Sequence, residues 1–389
     1  MIFRKLEKDV RSALKHFPGV TLVGARQVGK TTLAAKIAGD AGSHAQFFDL
    51  ENPRNALALE DPMGALGGLA DRLVIIDEAQ RMPALFPVLR VLVDANRRPG
   101  RFFLLGSATP DLRRQSAESL AGRVQTLVLR PLTLDEVGGQ AQLDKLWMRG
   151  GFPEAFLAES DPAGMEWRNA YLRDLVERDL RLLGFDLPPE RMRRFMLLLA
   201  HLHGQLWNAS ELARTLGIGA NTAARYLDTI CQTLLVRRLE PYYKNLGKRL
   251  VKAPKIYLAD SGLAHALLGI PDKSSLLGHP VQGASWEGFV LQHLDACLPA
   301  GWDIAFWRTA AGAEIDFLLL KNGKPEIAIE AKANETHPKP ARGFHQGCED
   351  LSIDMKRRWL VYPGSEMLTL PQSAEILPLE ECLNRLGQL

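Results

Sequence analysis

Three uninterrupted apolar runs mark the first third of the chain: Val20-Thr21-Leu22-Val23, Leu73-Val74-Ile75-Ile76 and Phe102-Phe103-Leu104-Leu105. Short runs without polar alternation read as strands covered on both faces, as in parallel sheets. A fourth strand is expected at Thr126 to Leu129, and the segment Thr32-Leu33-Ala34-Ala35-Lys36-Ile37-Ala38 has helical spacing. From Asp135 to Arg194 the pattern turns helical and rich in paired charges, reading as a lid-like connector. Arg173 and Arg178 there are expected in helix-surface ion pairs, with contact to the nucleotide as the alternative. Asn208 to Gly219 then forms a capped short helix and a glycine turn, followed by a helix over Asn221 to Ile230. That is helix-turn-helix phrasing. It runs on into Tyr242-Tyr243-Lys244, Lys248-Arg249, Lys252 and Lys255, as a two-stranded basic wing would. The fold class is therefore α/β, with later modules of mixed type.

Residues Gly24, Ala25, Arg26, Gln27, Val28, Gly29, Lys30 and Thr31 spell G-x-x-x-x-G-K-[ST], placed after a strand and before a helix that opens with Thr32. Glycines let such a loop curl so that N–H groups and the helix N-terminus face phosphate oxygens. Lys30 then reaches the β- and γ-phosphates and Thr31 offers its hydroxyl to Mg²⁺. The chain is expected to bind ATP.

The second apolar run ends in Asp77-Glu78. On the ligand-binding edge of a parallel sheet, Asp77 is placed to hold the Mg²⁺ shell and Glu78 to polarise the attacking water. After the third run, Ser107 is the candidate γ-phosphate sensor, with Thr109 second and an ordinary helix cap as the plain alternative. Arg123, just past Gly122, is read either as an arginine finger or intramolecular sensor, or as a surface ion pair.

A second constellation lies near the C-terminus. Ser285 to Val290 opens an amphipathic helix with Glu287 at the edge of its apolar face. The strands Ala313 to Leu320 and Pro325 to Lys332 are joined by Lys321-Asn322-Gly323-Lys324, a strong hairpin turn. Pairing would let Asp316 and Glu330 converge on a divalent cation, Mg²⁺ or Mn²⁺, while Lys332 positions water or neutralises phosphate. Glu287 would complete the metal set.

Composition adds limits. At 389 residues two or three domains are expected, and a net charge of +3 leaves any basic surface to local clustering. Four dispersed cysteines without a C-x-x-C pair argue against a zinc knuckle or disulfide framework and fit a reducing compartment. No secretory leader is expected at the N-terminus and no apolar run approaches the roughly 20 residues of a membrane span, so a cytoplasmic location without membrane partners is expected.

Together these residues resemble the prokaryotic single-chain ATPases that join an AAA-like P-loop domain, a winged helix and a C-terminal domain of the PD-(D/E)XK restriction-nuclease-like fold. The resemblance implies an AAA-like domain over residues 1–138, a helical connector or lid over 139–195, a winged helix over 196–262 and an α/β nuclease-like domain over 263–389. It makes Gly24 to Thr31 the Walker A motif, Asp77-Glu78 the Walker B motif, and Glu287, Asp316, Glu330 and Lys332 the nuclease-fold signature. It also implies DNA as partner and a homo-oligomer, with a hexameric ring as the suggested assembly. The sensor position departs from the pattern, being Ser107 where many AAA proteins carry asparagine. The expected function is a DNA-processing ATPase with a metal-dependent nuclease domain. The alternatives are a remodelling or branch-migrating motor with an inert nuclease-like clamp, and an ATP-set signalling or transcription switch.

Overall fold

The apolar runs of the first third become five parallel strands: β1 (Gly19–Gly24), β2 (Ala45–Asp49), β3 (Leu73–Asp77), β4 (Phe102–Ser107) and β5 (Val124–Leu129), in the order β2-β3-β4-β1-β5. β1 and β4 are almost wholly buried because helices cover both faces of the sheet, which explains why their sequences show no alternation. Helices Lys30–Ala41 and Leu85–Ala95 supply much of that cover, with Leu33, Ala34, Ile37, Phe86 and Leu89 buried. All five strands run the same way, so their C-terminal ends share one edge. Gly24, Asp77 and Ser107 lie on that edge. This computed structural model describes residues 2–108, 118–183, 185, 187–243, 250–333, 338–370 and 374–389.

The chain divides into two units, one of residues 1–132 with 232–234 and one of 133–231 with 235–389. The helical stretch read as a lid is thus grouped with the second unit. Its helix Leu143–Arg149 and helix Asp161–Asp174 are fastened to helix Ser261–Leu267 by a buried guanidinium. Arg168 donates to the carbonyls of Met148 at 2.7 Å and Gly262 at 3.3 Å. Asp260 caps the last of these helices, accepting from Leu263 N at 2.9 Å, and also accepts from Gly151 N at 2.6 Å.

Within the second unit, helix Pro189–His201, strand β6 (Gln205–Leu206), helices Ala209–Leu216 and Ala220–Gln232, β7 (Val236–Leu239) and β8 (Lys255–Leu258) follow in turn. The strands form an antiparallel sheet of order β6-β8-β7. Gly217, at φ 66°, closes helix Ala209–Leu216 in the left-handed region and permits the sharp turn into the next helix. A six-stranded mixed sheet completes the unit: β9 (Trp302–Arg308), β10 (Glu314–Lys321), β11 (Lys324–Ala331), β12 (Arg358–Tyr362), β13 (Leu368–Leu370) and β14 (Ala374–Pro378), in the order β13-β14-β12-β11-β10-β9. The expected hairpin is β10–β11, turning on Asn322 (φ 52°) and Gly323 (φ 76°).

Candidate functional site

The phosphate loop joins the C-terminal end of β1 to helix Lys30–Ala41. Gln27 at φ 60° and Gly29 at φ 101° are both left-handed, a backbone alternation that turns successive N–H groups toward a common anion-binding concavity. Gly24 is required by space as well. A Cβ there would lie 2.6 Å from the carbonyl oxygen of Leu129 on the neighbouring strand. The loop is pinned from outside the motif by Arg4, which donates to Val28 O at 2.9 Å.

Lys30 is buried, and its ammonium donates to Gly24 O at 3.2 Å and Ala25 O at 2.9 Å. Burial pulls its pKa below the ordinary lysine value, with Glu78 and Asp77 opposing that pull. Thr31 donates its hydroxyl to Asp77 Oδ2 at 2.6 Å, bringing two hard oxygen donors together at the start of the helix. That donor pair fits Mg²⁺. Glu78 follows in the left-handed region at φ 53°, and Gln80 donates to its Oε2. Burial raises the Glu78 carboxyl above its usual range, partly offset by Lys30. Ser107 pairs with Gly24 in the sheet register, so the candidate sensor stands beside the first residue of the loop. Thr109 lies outside the described residues.

Arg123 is not at this site. It immediately precedes β5, whose Val124 is in register with Gly19 at the start of β1, whereas the loop leaves β1 at Gly24. Five residue steps at about 3.3 Å put it roughly 16 Å away along the strand. Its guanidinium forms a two-pronged pair with Asp94, both contacts at 2.7 Å. An intramolecular sensor role is therefore corrected by the sheet register. Arg178 likewise pairs with Asp179 at 3.0 Å, as expected of a helix surface.

The C-terminal constellation is assembled in part. Across the β10–β11 hairpin, Asp316 Oδ2 accepts from Ala331 N at 3.0 Å, so Asp316 and Glu330 are neighbours as predicted. Glu330 is occupied by Lys332 at 2.6 Å and by Ala341 N at 3.0 and 3.2 Å. Glu287 is occupied differently: Lys255 donates to its Oε1 at 2.7 Å and Tyr257 donates its hydroxyl to the same oxygen. Lys255 also lies 2.6 Å from Glu314 Oε1 and 3.9 Å from Asp316 Oδ1. Burial by itself would lower the Lys255 pKa, but Glu287, Asp316 and Glu314 outweigh it and hold the ammonium firmly charged. Removing one member of a buried pair of this kind costs on the order of 3–5 kcal/mol.

This corrects one expectation. Lys255 is not part of a solvent-facing basic wing: it is 3% exposed and points into a carboxylate cluster. Of the expected metal set, one Glu287 oxygen is held by Lys255 and Tyr257, one Asp316 oxygen by Ala331 N, and the Glu330 carboxylate by Lys332 and Ala341 N. Among the described residues no three His, Cys, Asp or Glu side chains are disposed to hold a metal. Sequence reasoning missed Lys255, Tyr257 and Glu314 as site residues. The available signal was Lys255-Ile256-Tyr257-Leu258, a strand with two polar residues on one face. Lys244, Lys248 and Arg249 lie outside the described residues, while Lys252 is exposed.

Residues 16–138 match the AAA domain family, residues 140–274 the domain of unknown function DUF8612, and residues 282–382 the domain of unknown function DUF4143. Uncharacterized protein Rv2008c of Mycobacterium tuberculosis and uncharacterized protein Mb2031c of Mycobacterium bovis are each 46% identical over 374 residues, covering 96% of this chain and 83% of their own. The chain belongs to their family. Its first unit is an AAA-type ATPase domain, for which nucleotide binding with a divalent metal is the general property. Among solved structures, the Walker-type ATPase PABY2304 of Pyrococcus abyssi overlaps 69% of this chain and 96% of its own at 15% identity and TM-score 0.47. No described helix of this ATPase is long and apolar enough to cross a membrane.

Proposed function

We propose that this AAA-type ATPase acts on DNA, which it grips through a winged-helix module in residues 196–262. The observation that carries the reading is helix Ala220–Gln232. One face, Ala223, Tyr226, Leu227 and Ile230, is buried, leaving Asn221 and Arg225 exposed on the other. A short helix, a left-handed glycine turn, a second helix with a polar outer face and a flanking antiparallel sheet make up the arrangement by which such modules meet a DNA groove and backbone. Lys252, exposed just before β8, adds a phosphate-binding charge on the same module.

In the ATPase unit, Lys30 binds the β- and γ-phosphates, and loop N–H groups from Gly24 to Thr31 hold the remaining oxygens. Thr31 and Asp77 would hold Mg²⁺, which would supply positive charge to the transferring phosphoryl group. Glu78 orients and deprotonates the attacking water, aided by a carboxyl that burial has made more basic. Ser107 hydrogen-bonds the γ-phosphate and so reports whether it is present. A chain that uses this cycle on DNA assembles as a homo-oligomer, as AAA relatives commonly do. Fluorescence anisotropy with labelled duplex DNA tests the DNA half of the reading: Asn221→Ala/Arg225→Ala should weaken binding at unchanged fold, and equal affinity would remove it.

A further inference from the structure

In the second unit a lysine from one strand is closed between two carboxylates, with a third nearby. Lys255 begins β8, in the sheet β6-β8-β7, whereas Glu314 and Asp316 belong to β10 of the six-stranded sheet and Glu287 to helix Gln282–Cys297. Its ammonium lies 2.7 Å from Glu287, 2.6 Å from Glu314 and 3.9 Å from Asp316. Tyr257, two residues on and therefore on the same strand face, donates its hydroxyl to the same Glu287 oxygen.

We infer that Lys255 is a built-in counter-cation that holds the place a divalent ion would take, so that the C-terminal unit binds no divalent ion at Asp316 and does not cut DNA by metal-assisted hydrolysis. The 2.7 Å bond to Glu287 is a strong charge-assisted hydrogen bond, and the same ammonium stands 2.6 Å from Glu314 and 3.9 Å from Asp316, so a positive charge already lies among the oxygens that a divalent ion would need at about 2.0–2.6 Å. Charge acts in the same direction. An incoming cation would meet the ammonium of Lys255 and the Arg308 guanidinium, which lies 3.3 Å from the second Glu314 oxygen. Lys255 is nearly inaccessible, so it cannot simply swing into water to make way. Near it, backbone bonds from Tyr242 N to Phe306 O (2.7 Å) and from Val251 N to Arg308 O (3.0 Å) join the stretch between β7 and β8 to β9. The inference does not depend on whether the chain grips DNA.

Mn²⁺ is the probe, on the full chain after chelator treatment and without nucleotide, in an Asp77→Asn background that silences the ATPase metal position. Bound Mn²⁺ is counted by electron paramagnetic resonance. The background protein should bind no Mn²⁺ that a further Asp316→Asn removes. Adding Lys255→Met should create one Mn²⁺ site, and Lys255→Met/Asp316→Asn should abolish it. Because Lys255→Met leaves the part-buried Glu287 carboxylate without its cation, its thermal midpoint should be depressed in EDTA and recover in Mn²⁺, while that of the Lys255 protein stays put. Asp316-dependent Mn²⁺ binding with Lys255 present would overturn the inference. So would a Lys255→Met protein that gains no site, or one that is unfolded in EDTA and Mn²⁺ alike.

Discussion

Thr31 and Asp77, 46 residues apart in sequence, share a hydrogen bond of 2.6 Å at the edge where β1 and β3 both end. The contact joins the two nucleotide-handling motifs of the ATPase unit. It follows from parallel strand order, since only parallel strands deliver both C-terminal ends to one edge.

Lys30 and Glu78 should divide their roles. Lys30→Ala should lose ATP binding, because the ammonium meets phosphate in the ground state. Glu78→Gln should keep binding and slow hydrolysis by about 10²–10⁴-fold, since it acts on water only as the reaction proceeds. Isothermal titration with ATP and single-turnover hydrolysis separate the two. Near-normal turnover in Glu78→Gln would move the base to another residue.

Arg123 is held by Asp94 at the edge of the sheet opposite the phosphate loop. Arg123→Ala should therefore cost a little thermal stability and leave ATP turnover per chain nearly unchanged at every protein concentration. A loss of orders of magnitude with intact ATP binding would instead establish that a neighbouring subunit uses this arginine as a finger.

Acid should destabilise the second unit well before general carboxylate protonation does. His203, His265 and His293 are fully buried and neutral. His203 accepts from Leu258 N and His293 from Leu134 N, both at 3.0 Å. Burial pushes His203 and His293 down to about 4 and His265 down to about 3. The folded values lie below the unfolded value near 6.5, so the unfolded chain binds protons first and stability falls as pH drops from about 6.5 toward 4. Each histidine contributes about 1.4 kcal/mol per pH unit in that window, while Asp316, whose carboxyl is raised to about 8, opposes them by about the same amount, leaving a net slope of about 3 kcal/mol per pH unit. Guanidinium melts at pH 7, 6 and 5 check the slope. A flat profile would mean that these rings are already charged in the native state.

How much of this was legible in the chain depended on how local the information was. The phosphate loop could be read in full because its chemistry is set by eight consecutive residues and the strand and helix that flank them. The β10–β11 hairpin could be read because Asn322-Gly323 fixes the register locally. Arg123 could not, because its distance from the loop depends on the alignment of β5 with β1. Lys255 was hidden for a related reason: in sequence it continues a basic run, and only long-range packing against Glu287 and Glu314 turns it inward.

DNA affinity should depend on salt through Arg225 and Lys252. Each phosphate contact contributes about 0.9 to the slope of log affinity against log salt, so Arg225→Ala/Lys252→Ala should flatten that slope by about 1.8. An unchanged slope would put the DNA backbone on another surface.

The central claim is that ATP turnover serves DNA held by helix Ala220–Gln232. Its most direct test is the steady-state ATPase rate with and without duplex and branched DNA, for the wild type and for Asn221→Ala/Arg225→Ala. The account predicts DNA stimulation in the wild type, loss of that stimulation in the double variant, and the same DNA-free rate in both. A wild-type rate indifferent to every DNA, at concentrations where DNA is bound, would contradict it and favour a switch that serves a protein partner.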